Sequence, residues 1–369
     1  MSEANRNSIR KRLKPEEWEI IKGIREACDE NNITIRDVKD GWLKSKGASL
    51  RFTNPHYQGD KEFKIEDLDF SKVSESITPV PPVKQTPKRG VFDRLVFTDV
   101  HIGMEPNPNG FSLYGGRWDK EAIDSRLSTM IAKTINNQKS NTLYIDDLGD
   151  FMDGWDGQTV RKGHDLPQNM DNQEAFDFGV YFKKKLIDSL QPHFDAIVMH
   201  NICNDNHSSA FGYVVNSAIK TYVEAKYKAG NVLVKNQRRF MEYYTYYNGR
   251  DKSYIFILTH GKDDKNLKVG FKPVLDARHK AKIENWIAEH RLNAPNMVVE
   301  FSKGDSHQYV FDNASSDRFN YYNYPAFSPS SDWVQSNFQL GRSGFVHFNY
   351  YEGYKTINEH FFEWEKGGK

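Results

Sequence analysis

Cysteine is nearly absent. Only Cys28 and Cys203 occur in 369 residues. That is too few for a disulfide framework or a cysteine-based zinc site, and it fits a reducing compartment. No apolar run is long enough to cross a bilayer, and the N-terminal MSEANRNSIRKRLK is polar rather than signal-like. The expectation is a cytoplasmic protein with no membrane partner. Net charge is missing too: 51 basic against 50 acidic side chains leave +1. No global field selects an acidic partner, so a nucleic-acid surface would have to be a local patch. A Gly-rich, phosphate-cradling loop is absent, which argues against a nucleotide-driven motor. There is no internal repeat and no extended low-complexity segment. What remains is a soluble globular composition, 38% apolar and unusually rich in Phe and Tyr, in a chain too long for one small core.

Residues 1–65 read as a small helical domain. Pro15 suits a helix start, and Trp18, Ile21, Ile24 and Cys28 follow at helical spacing. Asn31-Asn32 ends that helix, and Thr34 can cap a second one carrying Ile35, Val38 and Trp42. The pair resembles a helix-turn-helix, with Arg10, Lys11, Arg12 and Lys14 before it and Lys44, Lys46 and Arg51 after. Such residues suit phosphates, or simply a solvated face of a docking domain. Residues 66–90, with their Pro/Ser/Thr-rich SKVSESITPVPPVKQTPKRG, read as a linker. The main domain is expected at 91–318, and 319–369 as an aromatic-rich C-terminal extension packing on it.

From Val91 the pattern alternates. RLVF, LYI and AIVMH read as strands. Helical faces separate them: Ile123, Leu127, Met130, Ile131 and Ile135, and then Phe176 to Leu190. Another helix is expected near Phe211 to Ala225. RRFMEYYTYY and SYIFILTH flank Asn248-Gly249, a hairpin signal, and MVVEF is a further strand. Strands alternating with helices, then a hairpin, predict a layered α/β sandwich with mixed sheets.

Each strand delivers polar ligands at its end. Asp99 and His101 follow the first. Asp150 and Asp153 follow LYIDDL, Asn206 and His207 follow AIVMH, His260 follows SYIFILT, and Asp305 and His307 follow MVVEF. Open α/β sheets collect their sites at carboxyl ends of strands. Imidazole, carboxylate and an amide oxygen together suit manganese, iron or zinc, and a carboxylate can bridge two such ions. Four acids gathered within Asp146–Asp153 repel one another unless cations compensate them.

In order, DVHIG, GDFMDG, DNHS, THG and GDSH are similar to the five motifs of the calcineurin-like metallophosphoesterase family, over residues 91 to 310. The resemblance implies a four-layer sandwich, two mixed β-sheets flanked by helices, and hydrolysis of phosphoester bonds with two divalent metal ions. Carried over by position, Asp99, His101 and His307 would hold one metal and Asn206, His260 and Asp305 the second, with Asp150 bridging. His207 would contact the phosphate and help protonate the leaving group. Three positions depart from the pattern. Asp205 stands where the family has glycine, Ser208 where it has an acid, and Asp305 where it has histidine. The added carboxylate tilts the expected metal from zinc towards manganese or magnesium, with iron also compatible.

For the substrate, the arginines of the protein-phosphatase branch are missing: Gly154-Trp155 follow Asp153, and Ser208-Ser209 follow His207. The second motif is more similar to the nuclease subunit of double-strand-break repair complexes, and GHDLPQNMDNQ to exonuclease-like phosphoesterases of phages and prophages. The expectation is a DNA phosphodiesterase, with Asp153, Arg161, His164 and Lys262 as candidate substrate contacts. Arg161, Lys162 and His164 lie in an insertion after the second motif. Lys262, Lys265, Lys268 and Lys272 offer a basic wall. Phe319, Tyr321, Tyr322, Tyr324, Phe327, Trp333 and Phe338, with Arg342, offer rings for base stacking or for a packed core. Two other readings stand beside this one. The first is a small-molecule or nucleotide phosphoesterase. The second is a DNA-binding scaffold with a degenerate metal centre.

Overall fold

Strand β3 (Phe92–Phe97, FDRLVF) is buried at every position, so its sheet is covered on both faces. In the computed structural model, residues 22, 26, 40–45, 48–53, 77–108, 116–161, 163–247, 253–261, 272–331, 334 and 341–362 are described. The chain divides into two units, Met1–Leu68 and Asp69–Lys369.

In the first unit, Lys22 and Glu26 are helical and pair across one turn at 3.7 Å. Strands β1 (Asp40–Ser45) and β2 (Ala48–Thr53) form an antiparallel hairpin from Asp40↔Thr53 to Ser45↔Ala48. The helix expected to carry Trp42 is therefore not formed at 40–45: Trp42 pairs with Arg51 on β2. Only two residues, Lys46 and Gly47, separate the strands, the spacing of a tight hairpin, and cross-strand pairing overrides a short helical period. The rest of the helix-turn-helix-like reading, 1–21 and 27–39, lies outside the described residues.

In the second unit, residues 77–90 are anchored along the sandwich. Val80 N–H donates to Lys226 O (2.8 Å) and Gly90 N–H to Lys139 O (2.7 Å), while Ile77 and Val80 pack on the core. Then come α1 (Lys120–Asn136), β4 (Thr142–Asp147), α2 (Asn172–Leu190), β5 (Ala196–Ile202), α3 (Ser209–Lys226) and β6 (Val232–Gln237). They are followed by β7 (Glu242–Tyr247), β8 (Ser253–Thr259), α4 (Ala277–Glu289), β9 (Met297–Lys303) and β10 (Val310–Asp312). The last strands are β11 (Asn320–Asn323), β12 (Gly344–Tyr350) and β13 (Lys355–Phe361).

One sheet has the order β13-β12-β3-β4-β5-β6 and the other β10-β11-β9-β8-β7. Both are mixed, parallel through β3-β4-β5-β6 and β11-β9-β8 and antiparallel at the other pairings. Strand alternation sorts the core into three layers. Leu95, Phe97, Leu143, Ile145, Ile197 and Met199 pack with Ile123, Leu127, Phe182, Leu186, Val215 and Ile219 of α1 to α3. Phe92, Val96, Tyr244, Phe256, Tyr322, Val346 and Phe348 fill the space between the sheets. Ile255, Ile257, Val299 and Phe301 pack with Ile283 and Ile287 of α4. Helices, sheet, sheet and helix make four layers.

The C-terminal segment is not an extension packed on this core but part of it. β11 pairs in parallel with β9, and β12 pairs with β3 at the centre of the larger sheet. Tyr321, Tyr322, Tyr324 and Phe327 are essentially unexposed, so they build the core and offer no stacking platform. Trp333 and Phe338 lie outside the described residues.

The layer between the sheets also holds a fully buried cation. Arg94 Nε donates to Asp146 Oδ2 (2.6 Å), and its other nitrogens reach Ser302 Oγ (3.0 Å) and Tyr324 (3.4 Å). Glu300 lies 3.5 Å away, and the guanidinium rests 4.4 Å over the Phe256 ring. Glu300 is further held by Tyr350 and Lys355. Arg94→Met leaves Asp146 without its cation in a dry layer. The expected loss is about 3–5 kcal/mol of unfolding free energy by urea titration; a loss below about 1 kcal/mol would remove Arg94 from this role.

His347 on β12 is fully buried, and neither ring nitrogen has a hydrogen-bond partner. Burial, with His360 and Lys139 nearby, pushes its pKa down to about 3. Below the unfolded value near 6.5 the unfolded chain takes up a proton that the folded chain refuses. Stability therefore falls with decreasing pH from about 6.5 to about 3, by up to about 1.4 kcal/mol per pH unit from this residue. Subtracting the pH–stability curve of His347→Leu from that of wild type should expose this slope; parallel curves would refute it.

Candidate metal centre

LYIDDL ends in two acids that turn out to be neutralised by the protein itself. Asp146 faces the other sheet and takes Arg94, His200 Nδ1 (3.0 Å) and the Tyr244 hydroxyl (2.9 Å). Asp147 points the opposite way, to the buried Lys183 ammonium at 2.6 Å, which also bonds Asn201 and Asn216. These two carboxylates are anchors of the strand. The next two, Asp150 and Asp153, lie beyond it and face the imidazoles of His101, His207 and His260.

Past the strand ends the first two motif loops keep pairing. Asp99 N–H donates to Gly149 O (3.0 Å), His101 N–H to Asp150 O (2.9 Å) and Asp153 N–H to Ile102 O (3.0 Å). The loops therefore hold Asp99, His101 and Asp150 in register. The backbone there is bent hard. Asp99, His101, Asp150, Asp305 and His307 have φ of 54°, 50°, 46°, 71° and 53°. These are five of the eight non-glycine residues with positive φ among the described residues. Each costs of order 1–3 kcal/mol and persists only where surrounding structure enforces it. Glycines allow the crowding. Gly149 has φ of 101°, and a Cβ there would come within 3.1 Å of both His260 and Asp205. A Cβ on Gly304 would strike Thr98 and Asp99.

Three groups of donor atoms interlock. They are Asp99, His101 and His307; His101, Asp150 and His207; and Asp99, Asp150 and His260. Within each, the ligand atoms lie within 4.8 Å of one another. His307 Nε2 is 3.5 Å from Asp99 Oδ1, and Asp305 Oδ1 is 3.8 Å from His260 Nε2. The Asp305 backbone N–H donates to Asp99 Oδ2 (3.2 Å). Asn206 lies in the same loop as His207, with its buried Oδ1 unpartnered.

The hydrogen bonds indicate where the ring protons sit. His260 Nδ1 is 2.9 Å from Leu148 O, so in the neutral ring Nδ1 carries the proton and Nε2 presents a lone pair. That lone pair is 3.0 Å from Asp150 Oδ2. His101 Nδ1 donates to Asp153 (2.8 Å), which leaves its Nε2 facing His307 Nε2 at 3.2 Å. Asp99 Oδ1 and His260 Nε2 are buried with no hydrogen-bond partner. Acceptors aimed at acceptors in a dry site require a cation or extra protons between them. The same demand appears in the titration behaviour. Burial pulls His260 down, but Asp150, Asp99 and Asp305 outweigh it and raise it to about 10. Burial also opposes charge on His207, yet Asp150 and Asp153 raise it to about 9. The donor set of carboxylates, imidazoles and one amide thus fits divalent metal ions. Asp99, His101 and His307 form one such group and Asp99, Asp150 and His260 a second, with Asp305 beside His260.

Asp153 does a job the sequence reading did not give it. As well as holding His101, its Oδ1 is 3.2 Å from His207 Nδ1, so one carboxylate faces both rings. Ser208 stands where the family has an acid, and here Asp153 is the carboxylate beside the His207 ring. The Asp205 and Ser208 departures are one linked feature. Asp205 Oδ1 accepts the backbone N–H of Ser208 and Ser209 (both 2.7 Å), and Ser208 Oγ donates to the same carboxylate (2.9 Å to Oδ2). The pair closes the loop that carries Asn206 and His207 and tethers it to the start of α3.

The insertion after the second motif packs on this loop. Val160 N–H donates to His207 O (2.9 Å), Arg161 N–H to Asn206 O (3.3 Å), and the Arg161 guanidinium bonds Asn204. Arg161 is thus beside the centre. His164 is exposed on the insertion, and its backbone N–H bonds Thr159. Lys262, with Lys162, Lys265 and Lys268, lies outside the described residues.

No protein-family model matches the chain, and no curated protein matches it. Solved structures do align over much of it. Vps29 complexed with zinc from Entamoeba histolytica is 9% identical. That alignment covers 73% of this chain and 99% of that one, with a TM-score of 0.29. A predicted phosphoesterase from Streptococcus pneumoniae TIGR4 is 9% identical and covers 75% and 100%, with a TM-score of 0.27. Superposition that loose carries no functional weight, so the chemistry must come from the chain's own residues.

Asp153→Asn tests the arrangement. Weakening the partner of a metal-holding histidine typically costs 10–100-fold in affinity. Manganese titration by calorimetry should show about that loss for Asp153→Asn; unchanged affinity would mean that Asp153 does not orient the ligands.

Proposed function

We propose that the chain is a two-metal phosphoesterase, and within that class a phosphodiesterase that cuts nucleic acid, with DNA as the substrate and manganese as the favoured metal. One observation carries the reading: three interlocking carboxylate–imidazole groups at the ends of strands, with lone pairs aimed at one another in a dry site. Asp99, Asp150 and Asp305 make the donor set hard, which favours manganese or magnesium over zinc.

When bound, the cations supply Lewis acidity, lowering the pKa of a water and drawing charge from the phosphoryl oxygens. The chain's part is placement. Asp150 holds the two halves together, and its Oδ1 accepts the His207 backbone N–H (3.0 Å). His207 is partly exposed, with Nδ1 turned to Asp153 and Nε2 towards the centre, 3.9 Å from Asp150 Oδ2. A proton on that Nε2 is positioned to pass to a leaving oxygen. Arg161, on the insertion over the Asn206–His207 loop, offers positive charge beside the site, which suits a substrate with more than one phosphate. His164 and Lys262 remain proposed contacts for the same strand.

The test is hydrolysis of bis-p-nitrophenyl phosphate and of labelled single- and double-stranded DNA, with manganese or EDTA. His207→Ala should lower kcat by about 10²–10⁴-fold while manganese affinity stays near wild type. An equal loss of bound metal would make His207 a ligand instead. Asp150→Asn should abolish turnover on every substrate, and near-normal turnover would sink the metal assignment. Cleavage of the small diester without DNA cutting would favour a small-molecule phosphodiesterase, and DNA binding without any turnover a degenerate centre.

A further inference from the structure

The two sheets end side by side at β6 and β7, each an edge strand. Between these edges an open groove of about 490 Å³ is lined by Lys235, Arg238 and Arg239 on one side and Tyr243 and Tyr244 on the other, with His200 among its walls. Lys235, Arg238 and Arg239 are exposed. Glu242 also lines the groove, 3.8 Å from Arg239, so the local balance is three cations against one carboxylate in a chain of net charge +1.

The groove has a built feature beyond surface charge. His200 is 1% exposed and stacks on Tyr244 at 4.0 Å. Its Nδ1 is pinned to Asp146 at 3.0 Å, and Asp146 is itself fixed by Arg94. The opposite ring atom, Nε2, is buried with no hydrogen-bond partner. A buried polar atom without a partner is costly unless something fills the place.

The groove also adjoins the metal centre. Gln237 pairs with Ile202, and Cys203 N–H donates to Gln237 O (2.7 Å), three residues before Asn206. Glu242 pairs with Leu258, two residues before His260. Arg238 lies 5.0 Å over the Tyr213 ring in the first turns of α3, the helix that follows His207.

We infer that this groove is a phosphate-binding subsite that holds the strand of a single-stranded polynucleotide beside the metal centre. The inference rests on the phosphodiesterase reading and adds where the rest of the substrate lies. Lys235, Arg238 and Arg239 neutralise phosphates flanking the scissile one. His200 Nε2, which presents a lone pair while Nδ1 donates to Asp146, accepts from a base N–H. A duplex would not present its bases there, which is why a single strand is preferred.

The experiment uses the full chain. Binding of fluorescein-labelled oligodeoxythymidylate is followed by anisotropy in EDTA across a sodium chloride series, for wild type, Arg238→Glu/Arg239→Glu and Arg238→Lys/Arg239→Lys. Manganese-dependent hydrolysis of bis-p-nitrophenyl phosphate is measured in parallel. The glutamate variant should bind at least about tenfold more weakly. Its slope of log affinity against log salt should fall by about 1.4, two contacts at about 0.7 each. The lysine variant should bind as wild type, and both should hydrolyse the small diester within about twofold of wild type. Unchanged binding in the glutamate variant overturns the subsite, as does equal loss of small-diester turnover. Wild-type binding of poly-glutamate as tight as that of the oligonucleotide overturns the polynucleotide assignment. Diester hydrolysis with no oligonucleotide binding defeats the subsite and leaves the phosphoesterase standing. Arginine-dependent binding without any hydrolysis does the reverse.

Discussion

The molecule is organised around acidic groups that cannot be left alone. Asp99, Asp146, Asp147, Asp150 and Asp153 are all buried at 2% exposure or less, at the ends of neighbouring parallel strands. Burying isolated carboxylates is prohibitive, so each must be paired, protonated or bound to a cation. The fold answers in two ways. Asp146 and Asp147 sit on β4 itself and alternate between its faces. Arg94 meets the first from within the interlayer, and Lys183 the second from α2. Asp99, Asp150 and Asp153 lie beyond the strands, where imidazoles face them. A histidine with one proton fixed on the far nitrogen turns its other nitrogen to the carboxylates, and the gap between them calls for a cation or a second proton. The arrangement therefore suits divalent metal ions.

Strain and charge reinforce each other there. The five left-handed residues all carry candidate ligands, and the glycines at 149 and 304 are the points where a side chain would collide with one. Rigid neighbours hold the bends: the β3 and β4 loops pair with each other, and Phe327 and Ser328 donate to Thr98 O and Asp99 O from the other side. The last contact explains why the C-terminal segment matters to the centre. It is a wall of the site as well as a part of both sheets.

Much of this was legible in the chain because the signals are local. A strand followed within a few residues by Asp-x-His or Gly-Asp-x-x-Asp announces a cluster of acids and imidazoles through its spacing. What depends on distant partners was not. β11 and β12 enter the sheets beside strands some twenty residues back and roughly 250 residues back respectively. No short-range pattern encodes that, so Tyr321, Tyr322 and Tyr324 read equally well as a stacking surface. Helical spacing misled at Trp42 for the opposite reason: a short run satisfies two periods, and pairing with Arg51 decides between them there. The groove between β6 and β7 exists only because two edges from different sheets meet, and single arginines in a sequence cannot show that. Asp153 was visible as an acid, but its two histidine partners come from different loops.

The departures from the family pattern then take on a different meaning. Taken singly, an acid at 205, a serine at 208 and an acid at 305 each look like decay. In the structure the first two bond to each other, and Gly212 leaves the room that Ser208 needs, since a Cβ there would come within 2.7 Å of its Oγ. Their product is a closed loop that presents Asn206 and His207, with Asp153 taking over the orientation of the ring. Burial and the nearby Asp150 raise Asp205 to about 6, a cost the loop carries for its position. Asp305 is the most exposed of the proposed carboxylate ligands, at 14%, and its backbone is already tied to Asp99. A carboxylate at that margin can move towards a cation without disturbing the buried ligands, whereas an imidazole would have to be packed. The acid at 305 therefore sits at the edge of the frame and leaves the buried groups behind it in place.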